Sequence, residues 1–150
     1  MPDDKPPEGF APITRIGGFI ELAGPYFYRK RSADDAPDVF HYGFQTANAH
    51  QNTNGVVHGG ALLTFADTAM GSTVYFVAKR PCATISMNSE FVSGAGLGSW
   101  VEATVNITRQ TSSLAFVRCT LSSEGETLLT ASGIWKLFPP NLPGHDKQSD

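Results

Sequence analysis

One stretch of the chain repeats its hydrophobic positions at helical spacing. Between residues 59 and 78, apolar side chains recur every three or four positions, at Leu62, Phe65, Ala66, Ala69, Met70 and Val74. This period predicts a helix from about Gly59 to Ala78, which Lys79, Arg80 and Pro81 then end. Because other apolar side chains fill the remaining faces, we expect a buried helix.

The second half of the chain alternates instead with period two. Val101, Ala103, Val105 and Ile107 are separated by polar residues, which predicts a strand from Trp100 to Arg109 with one buried face. Similar patterns predict strands over 39–45, 83–92, 113–122 and 127–138. Short turn-like segments join the last four, which favours an antiparallel meander. We therefore predict an α+β domain in which one curved antiparallel sheet wraps one long central helix.

The two ends of the chain are polar and rich in proline. We interpret residues 1–12 and 139–150 as flexible tails and residues 13–138 as one domain. Residues 18–25 form a first short element, residues 26–29 follow it, and residues 30–37 read as a charged loop.

Composition narrows the possible partners. The net charge of -3 gives no reason to expect nucleic acid as a partner. The start of the sequence does not resemble a signal peptide, and we saw no apolar run of membrane-spanning length, so we expect a cytoplasmic protein without a membrane partner. Cys82 and Cys119 lack the spacing of a metal or redox motif and are interpreted as inert.

Two features of the predicted helix carry candidate chemistry. Asp67 lies among apolar residues, where an unpaired carboxylate is costly, so it has either a polar partner or a function. Gly59 and Gly60 leave the positive end of the helix without side chains, so a ligand oxygen can approach the backbone N–H groups. Donors for an oxyanion and a base for water together suit acyl transfer to water.

A set of residues around the start of the predicted helix resembles a known protein family. Asn52, Gly55, His58-Gly59-Gly60 and Asp67, followed by antiparallel strands, resemble the hotdog-fold acyl-CoA thioesterases. The branch is that of phenylacetyl-CoA thioesterase (PaaI-like) in the 4-hydroxybenzoyl-CoA thioesterase superfamily, and the similarity spans about residues 19–138. It implies hydrolysis of acyl-CoA without a metal or other cofactor. It also implies a homodimer, or a dimer of dimers, with active sites at the subunit interface.

The resemblance also implies a role for each matching residue. Asp67 would be the general base or nucleophile, and the Gly59 N–H would polarise the thioester carbonyl. Asn52 and His58 would shape that end of the site, and Thr84 would supply a hydroxyl beside the acid.

Other site residues have less direct support. Ser86, two residues after Thr84 on what we expect to be the same strand face, could substitute for it. Gly60 would contact the substrate. Arg109 is the first choice for the CoA phosphates, ahead of four other cations: Arg118, Lys136, Lys79 and Arg80.

Structural interpretations remain open for several of these residues. Asn52 is also a typical turn residue, and His58 could simply fix the backbone of the turn. Gly59 and Gly60 could serve close helix–sheet packing, and His50 is interpreted as part of the turn.

The reaction itself has two alternatives. These are a hydratase or dehydratase on the same fold and a non-catalytic acyl-CoA-binding or sensing module. The sequence leaves the acyl group open, and it leaves general-base and covalent anhydride mechanisms open as well.

Overall fold

The computed structural model describes residues 5–14 and 17–143. Two helices and seven strands follow one another along the chain. Their bounds are β1 Phe10–Pro12, α1 Phe19–Ala23, β2 Tyr26–Arg29, β3 Val39–Gln45, α2 Gly59–Ala78, β4 Cys82–Phe91, β5 Trp100–Gln110, β6 Leu114–Ser123 and β7 Glu126–Leu137. A single 3-10 turn, Asn48–His50, precedes α2.

All strand pairs in the sheet are antiparallel, and the strand order is β1-β2-β3-β5-β6-β7-β4. Strands β5, β6 and β7 form the predicted meander. The position of β4 corrects the prediction, because β4 pairs with β7 at the edge of the sheet and not with the next strand along the chain. Loop length could not reveal this pairing, since the segment from Val92 to Ser99 crosses to the far side of the meander.

The core lies between the sheet and α2, which packs against β3, β4, β5, β6 and β7. The alternation predicted from the sequence is confirmed in β5, β6 and β7. Their inward side chains are buried, among them Val101, Val105, Val117, Leu121, Leu129 and Trp135. The hotdog architecture predicted from the sequence, one long helix wrapped by an antiparallel sheet, is therefore present.

One face of α2 corrects the expectation of a helix buried on all sides. Within a single chain, Tyr75, Phe76 and Val77 are exposed and Asp67 is only half-buried. By length and mean hydropathy, 1.3, α2 also meets the criterion for a membrane span, which corrects our statement that no run reaches that length. Core helices of sheet-wrapped domains meet the same criterion.

The predicted N-terminal boundary is too late by a few residues. Phe10–Pro12 pair with Phe27–Arg29 of β2, and the Phe10 ring lies edge-on against Trp100 with ring centroids 5.1 Å apart. Because Phe10 and Trp100 are far apart in sequence, the composition of the N-terminal segment alone could not predict this contact. Residues 1–4 and 144–150 of the predicted tails lie outside the described residues.

Candidate active site

The start of α2 presents one unpaired backbone donor. The Gly60 N–H donates to His58 Nδ1 at 2.7 Å, and the Ala61 N–H donates to the His58 carbonyl at 2.9 Å. Among the residues that the structure describes, the Gly59 N–H has no acceptor. Since the helix dipole makes this end positive, Gly59 is the donor available to a ligand oxygen.

The two glycines are therefore not equivalent. A Cβ on Gly60 would lie 2.9 Å from His58 Nδ1, so this glycine makes room for the histidine that caps the helix. A Cβ on Gly59 would lie 3.0 Å from the ring of Phe91 in β4. The Gly60 N–H is already paired with His58, so it does not support the substrate-binding role predicted for Gly60. The unpaired Gly59 N–H supports the role predicted for Gly59.

The loop before α2 is held by a set of local hydrogen bonds. Buried His50 accepts from the Ala47 N–H through Nδ1 at 2.9 Å, and its Nε2 lies 2.8 Å from the Ala23 carbonyl. Because Nδ1 is an acceptor, the proton lies on Nε2 and donates to Ala23. The His50 carbonyl in turn accepts from the His58 N–H at 2.7 Å. This geometry gives His50 the structural role that the sequence suggested.

Asn52 and His58 also act on the loop itself. Asn52 Oδ1 accepts from the N–H groups of Asn54, at 2.8 Å, and Val56, at 3.3 Å. His58 uses Nδ1 to cap the helix, which leaves its Nε2 available. Within a single chain, Asn52 therefore acts as a turn residue and His58 fixes the backbone of the turn, as their structural interpretations proposed. They fix the loop conformation in which the Gly59 N–H has no acceptor among the described residues.

Asp67 has a side-chain partner. Thr84 in β4 donates from Oγ1 to Asp67 Oδ1 at 2.7 Å, which places the predicted acid and hydroxyl together. Thr84 reaches α2 because it pairs with Trp135, a buried residue whose side chain points toward the helix. The second carboxylate oxygen, Oδ2, has no partner among the described residues and can accept a proton or attack a carbonyl.

Ser86 requires a correction, because a β-bulge separates it from Thr84. Thr84 pairs with Trp135, but Ser86 pairs with the adjacent residue, Ile134, so the two β4 residues lie on opposite faces of the sheet. Directly opposed residues share a face, and Trp135 faces the helix whereas Ile134 faces away from it. Ser86 therefore cannot substitute for Thr84 beside Asp67.

Arg109 is likewise turned away from the site by a bulge. It pairs with Phe116, whose neighbours Ala115 and Val117 are buried on the helix side, so Arg109 is exposed on the outer face. The sheet separates it from Asp67 and Gly59, and the structure does not bring these predicted site residues together within one chain.

Two of the other candidate cations have structural partners. Arg80 donates to three backbone carbonyls, those of Phe138 at 2.7 Å, Ser112 at 2.8 Å and Leu137 at 3.3 Å, and so ties the end of α2 to the sheet. The Lys79 ammonium lies 4.0 Å from the centroid of the Phe76 ring. These contacts make both side chains part of the fold near the end of α2.

The sequence analysis missed two features near Asp67. The Cys82 thiol donates to the Gly71 carbonyl at 3.6 Å, and burial, followed by the nearby charge of Asp67, raises the pKa of this thiol. A run of three cations, Arg29 to Arg31, lines a cleft beside the second half of α2. The run is visible in the sequence, but only the fold brings it close to the helix.

Comparison with known proteins identifies the class of this fold and site. The family model described as "Thioesterase superfamily" matches residues 54–130, just over half of the chain. A Pseudomonas aeruginosa protein named "Putative esterase PA0474" is 30% identical over 133 residues, which cover 87% of this chain and 96% of that protein. The chain therefore belongs to the thioesterase superfamily.

Solved structures share the fold at lower sequence identity. Zebra fish thioesterase superfamily member 2 matches with a TM-score of 0.72 at 20% identity, over 83% of this chain and 89% of that one. A mutant of the phenylacetic acid degradation protein PaaI from Thermus thermophilus matches with a TM-score of 0.67 at 22% identity, over 80% and 98%. A Streptococcus pneumoniae thioesterase protein, solved with coenzyme A, matches with a TM-score of 0.66 at 16% identity, over 75% and 87%.

Proposed function

We propose that this protein hydrolyses acyl-CoA thioesters to a carboxylic acid and CoA. The observation that carries the proposal is the hydrogen-bonded Asp67–Thr84 pair, set at the open edge of a thioesterase-family domain. Asp67 is the only carboxylate on α2, and its free oxygen provides the base or nucleophile that the reaction needs.

The proposed reaction divides the work between two groups. The Gly59 N–H donates to the thioester carbonyl oxygen and stabilises the negative charge that develops there. Asp67 takes a proton from the attacking water as the C–O bond forms and the C–S bond breaks, and the CoA thiolate receives that proton. Alternatively, Asp67 attacks the carbonyl carbon and the C–S bond breaks, which releases the CoA thiolate and forms a mixed anhydride. Water then opens the anhydride to the carboxylic acid and Asp67, and the thiolate receives a proton from that water. Thr84 orients the carboxylate in both cases.

CoA as the carrier is supported by the Streptococcus pneumoniae relative of the same fold, whose structure contains coenzyme A. The test is a thiol-release assay of the purified protein across short, medium, branched and aromatic acyl-CoA thioesters. Release of CoA that disappears in an Asp67→Asn variant supports the proposal. Binding of acyl-CoA without thiol release would instead indicate a sensing module, and hydration of an enoyl-CoA would indicate a hydratase.

We also propose that each active site is built from two chains. Gly59 and Asp67 are eight residues apart on α2, or about 12 Å along the helix axis. The attacking atom and the carbonyl carbon must lie within about 3 to 3.5 Å of each other. One helix therefore cannot easily present both groups to one thioester, whereas two antiparallel helices related by a two-fold axis can.

The surface around α2 and β4 supports this second proposal. In the part of the chain that the structure describes, β4 pairs only with β7, so its other edge leaves a long row of backbone groups unpaired. Ile85, Phe91 and Val92 on and after this strand are more than half exposed. On the neighbouring outer face of α2, the hydroxyls of Thr64 and Thr68 donate to carbonyls one turn earlier, each at 2.8 Å. A second helix would therefore meet small side chains without a free hydroxyl proton.

The positions of the two half-sites along β4 define the register of this dimer. Phe91 lies against Gly59 at one end of β4, and Thr84 lies against Asp67 at the other. If β4 pairs antiparallel with its copy so that Asn88 faces Asn88, Phe91 of one chain lies opposite Ile85 of the other, one residue along β4 from Thr84. Around its centre, this register places inward Met87 opposite inward Ser89 and outward Ser86 opposite outward Glu90, as a continuous sheet requires. Asn88→Cys should then form a disulfide-linked dimer on mild oxidation, whereas Ser132→Cys on the interior strand β7 should not.

Complementation tests whether the site is shared. A chain carrying Gly59→Val and a chain carrying Asp67→Asn are unfolded and refolded together. In each mixed dimer, one site then contains both wild-type groups and the other contains both substitutions. Half of randomly paired dimers are mixed, so activity should return to about a quarter of wild type. If both groups serve a site within one chain, every site remains damaged, and mixed dimers detected by mass would show no recovery.

A further inference from the structure

A cleft of about 800 Å³ lies beside the second half of α2. Its lining includes residues of β2 and β3, of α2 and of the segment after α2, and the rings of Phe40 and Phe76 contact each other with centroids 5.6 Å apart. This volume and an aromatic lining with a few polar groups are typical of a small-molecule site.

Two residues that line the cleft lie close in sequence to the candidate active site. Gly71, which lines it, follows Asp67 by one helical turn, or about 6 Å along the axis. Cys82, which also lines it, lies two residues before Thr84 on β4 and donates to the Gly71 carbonyl. A group attached to a carbonyl at Asp67 could therefore extend directly into this cleft.

The charge of the lining is of one sign. Of the residues that the structure describes, Arg29, Lys30 and Arg31 line the cleft and no carboxylate does. Asp35 forms an ion pair with Arg29 at 2.5 Å. In contrast, Arg31 donates to the carbonyls of Val39 and Ala36, which carry no net charge.

Lys30 and His41 complete the electrostatic picture. The Lys30 ammonium has no ion-pair partner among the described residues. Burial, followed by the charge of Arg29, lowers the pKa of His41, so this ring is neutral at pH 7 and adds no charge to the lining of the cleft. The cleft thus joins an apolar, aromatic interior to a positively charged rim.

We propose that this cleft binds the acyl group and favours acyl groups that end in an anion, such as the mono-CoA thioester of a dicarboxylic acid. The inference rests on the proposed thioesterase function and names its substrate class. The apolar body of the acyl chain packs against the aromatic residues, and its terminal carboxylate reaches Lys30 and Arg31.

The test compares thioesters of equal chain length with and without a terminal carboxylate. We expect kcat/KM for adipoyl-CoA to exceed that for hexanoyl-CoA. Lys30→Gln should lower this ratio about fivefold, in the range of an exposed ion pair, and Lys30→Glu should lower it further. Lys5→Gln is the matched control, because Lys5 is exposed and does not line the cleft, and it should leave the ratio unchanged.

A second variant tests where the acyl chain lies. Ser72 lines the cleft, so Ser72→Phe should raise KM for adipoyl-CoA and hexanoyl-CoA and leave acetyl-CoA hydrolysis nearly unchanged, whereas Ser72→Ala should affect none of them. Equal effects of Ser72→Phe on all chain lengths would overturn the assignment of the cleft to the acyl group.

The phosphates of CoA are the other anion that these cations could bind. N-acetylcysteamine thioesters lack those phosphates and separate the two sources. If Lys30→Gln acts equally on both CoA thioesters and has no effect on the N-acetylcysteamine thioesters, the cleft holds the nucleotide and the inference is wrong. If hexanoyl-CoA and adipoyl-CoA are hydrolysed with equal kcat/KM, the inference about the acyl group is wrong but the proposed thioesterase function stands. If no thioester is hydrolysed, both the inference and the proposed function are wrong.

Discussion

The start of α2 and its middle differ in how completely one chain builds them. The loop from Ala47 to Gly60 is held by hydrogen bonds of His50, Asn52 and His58, and the Gly59 N–H has no acceptor among the described residues. Asp67 has one side-chain bond, from a threonine on an edge strand. The start of α2 is held by contacts within one chain. Asp67, in contrast, lies beside β4, an edge strand whose outer backbone groups have no partner among the described residues. This difference fits the proposed shared site, in which a partner chain would complete the surroundings of Asp67.

The largest effect expected from this comparison is at Asp67. Asp67→Asn removes the base and should lower kcat by about 10²-fold or more, as for other general bases. Steady-state thiol release measures it, and Asp38→Asn, at an exposed acid on the β2–β3 loop, is the control. A folded Asp67→Asn protein with nearly normal kcat would assign the proton transfer to another group.

Gly59 should come next. Gly59→Val covers the N–H donor, and loss of one oxyanion donor costs about 3 kcal/mol, or about 10²-fold in kcat. The new side chain would also press on the ring of Phe91, since a Cβ there lies 3.0 Å from it. The double variant Gly59→Val/Phe91→Ala removes this clash, so full recovery of kcat in the double variant would attribute the defect to packing.

A smaller effect is expected at Thr84, where the bulge supplies a matched control on the same strand. Thr84→Ala should lower kcat about tenfold by releasing the Asp67 carboxylate, and Thr84→Ser should restore most of it. Ser86→Ala should change nothing, because Ser86 lies on the opposite face of the sheet. Equal losses at Thr84 and Ser86 would contradict the assigned register.

The smallest effect concerns the Cys82 thiol. Burial and the Asp67 charge both raise its pKa, so Asp67→Asn should lower that pKa and make Cys82 react faster with iodoacetamide at a given pH below it. The alkylation rate as a function of pH, followed by mass spectrometry, measures the shift. Cys119 is an internal control, since burial raises its pKa to about 12. An unchanged pH profile for Cys82 would show that Asp67 does not influence it.

Local patterns in the sequence determined much of this protein. The bounds of α2 follow from helical spacing, the glycines at 59 and 60 and the stop at Pro81, all of which act within a few residues. The inward faces of β5, β6 and β7 follow from alternation for the same reason. The pairing of Asp67 with Thr84 was also expected, though from a family resemblance and not from spacing.

Tertiary structure decided what depends on hydrogen bonds between distant segments. The pairing of β4 with β7 depends on which strands meet in the fold, and the sequence of neither strand alone predicts it. The bulges that turn Ser86 and Arg109 outward arise from the register with a neighbouring strand. Alternation along β4 alone therefore placed Ser86 on the wrong face of the sheet. The cleft beside α2 exists only because curvature of the sheet brings residues 28–31 and 81–82 to the same helix. Alternation is a property of one strand, whereas partner, register and curvature belong to the assembled sheet.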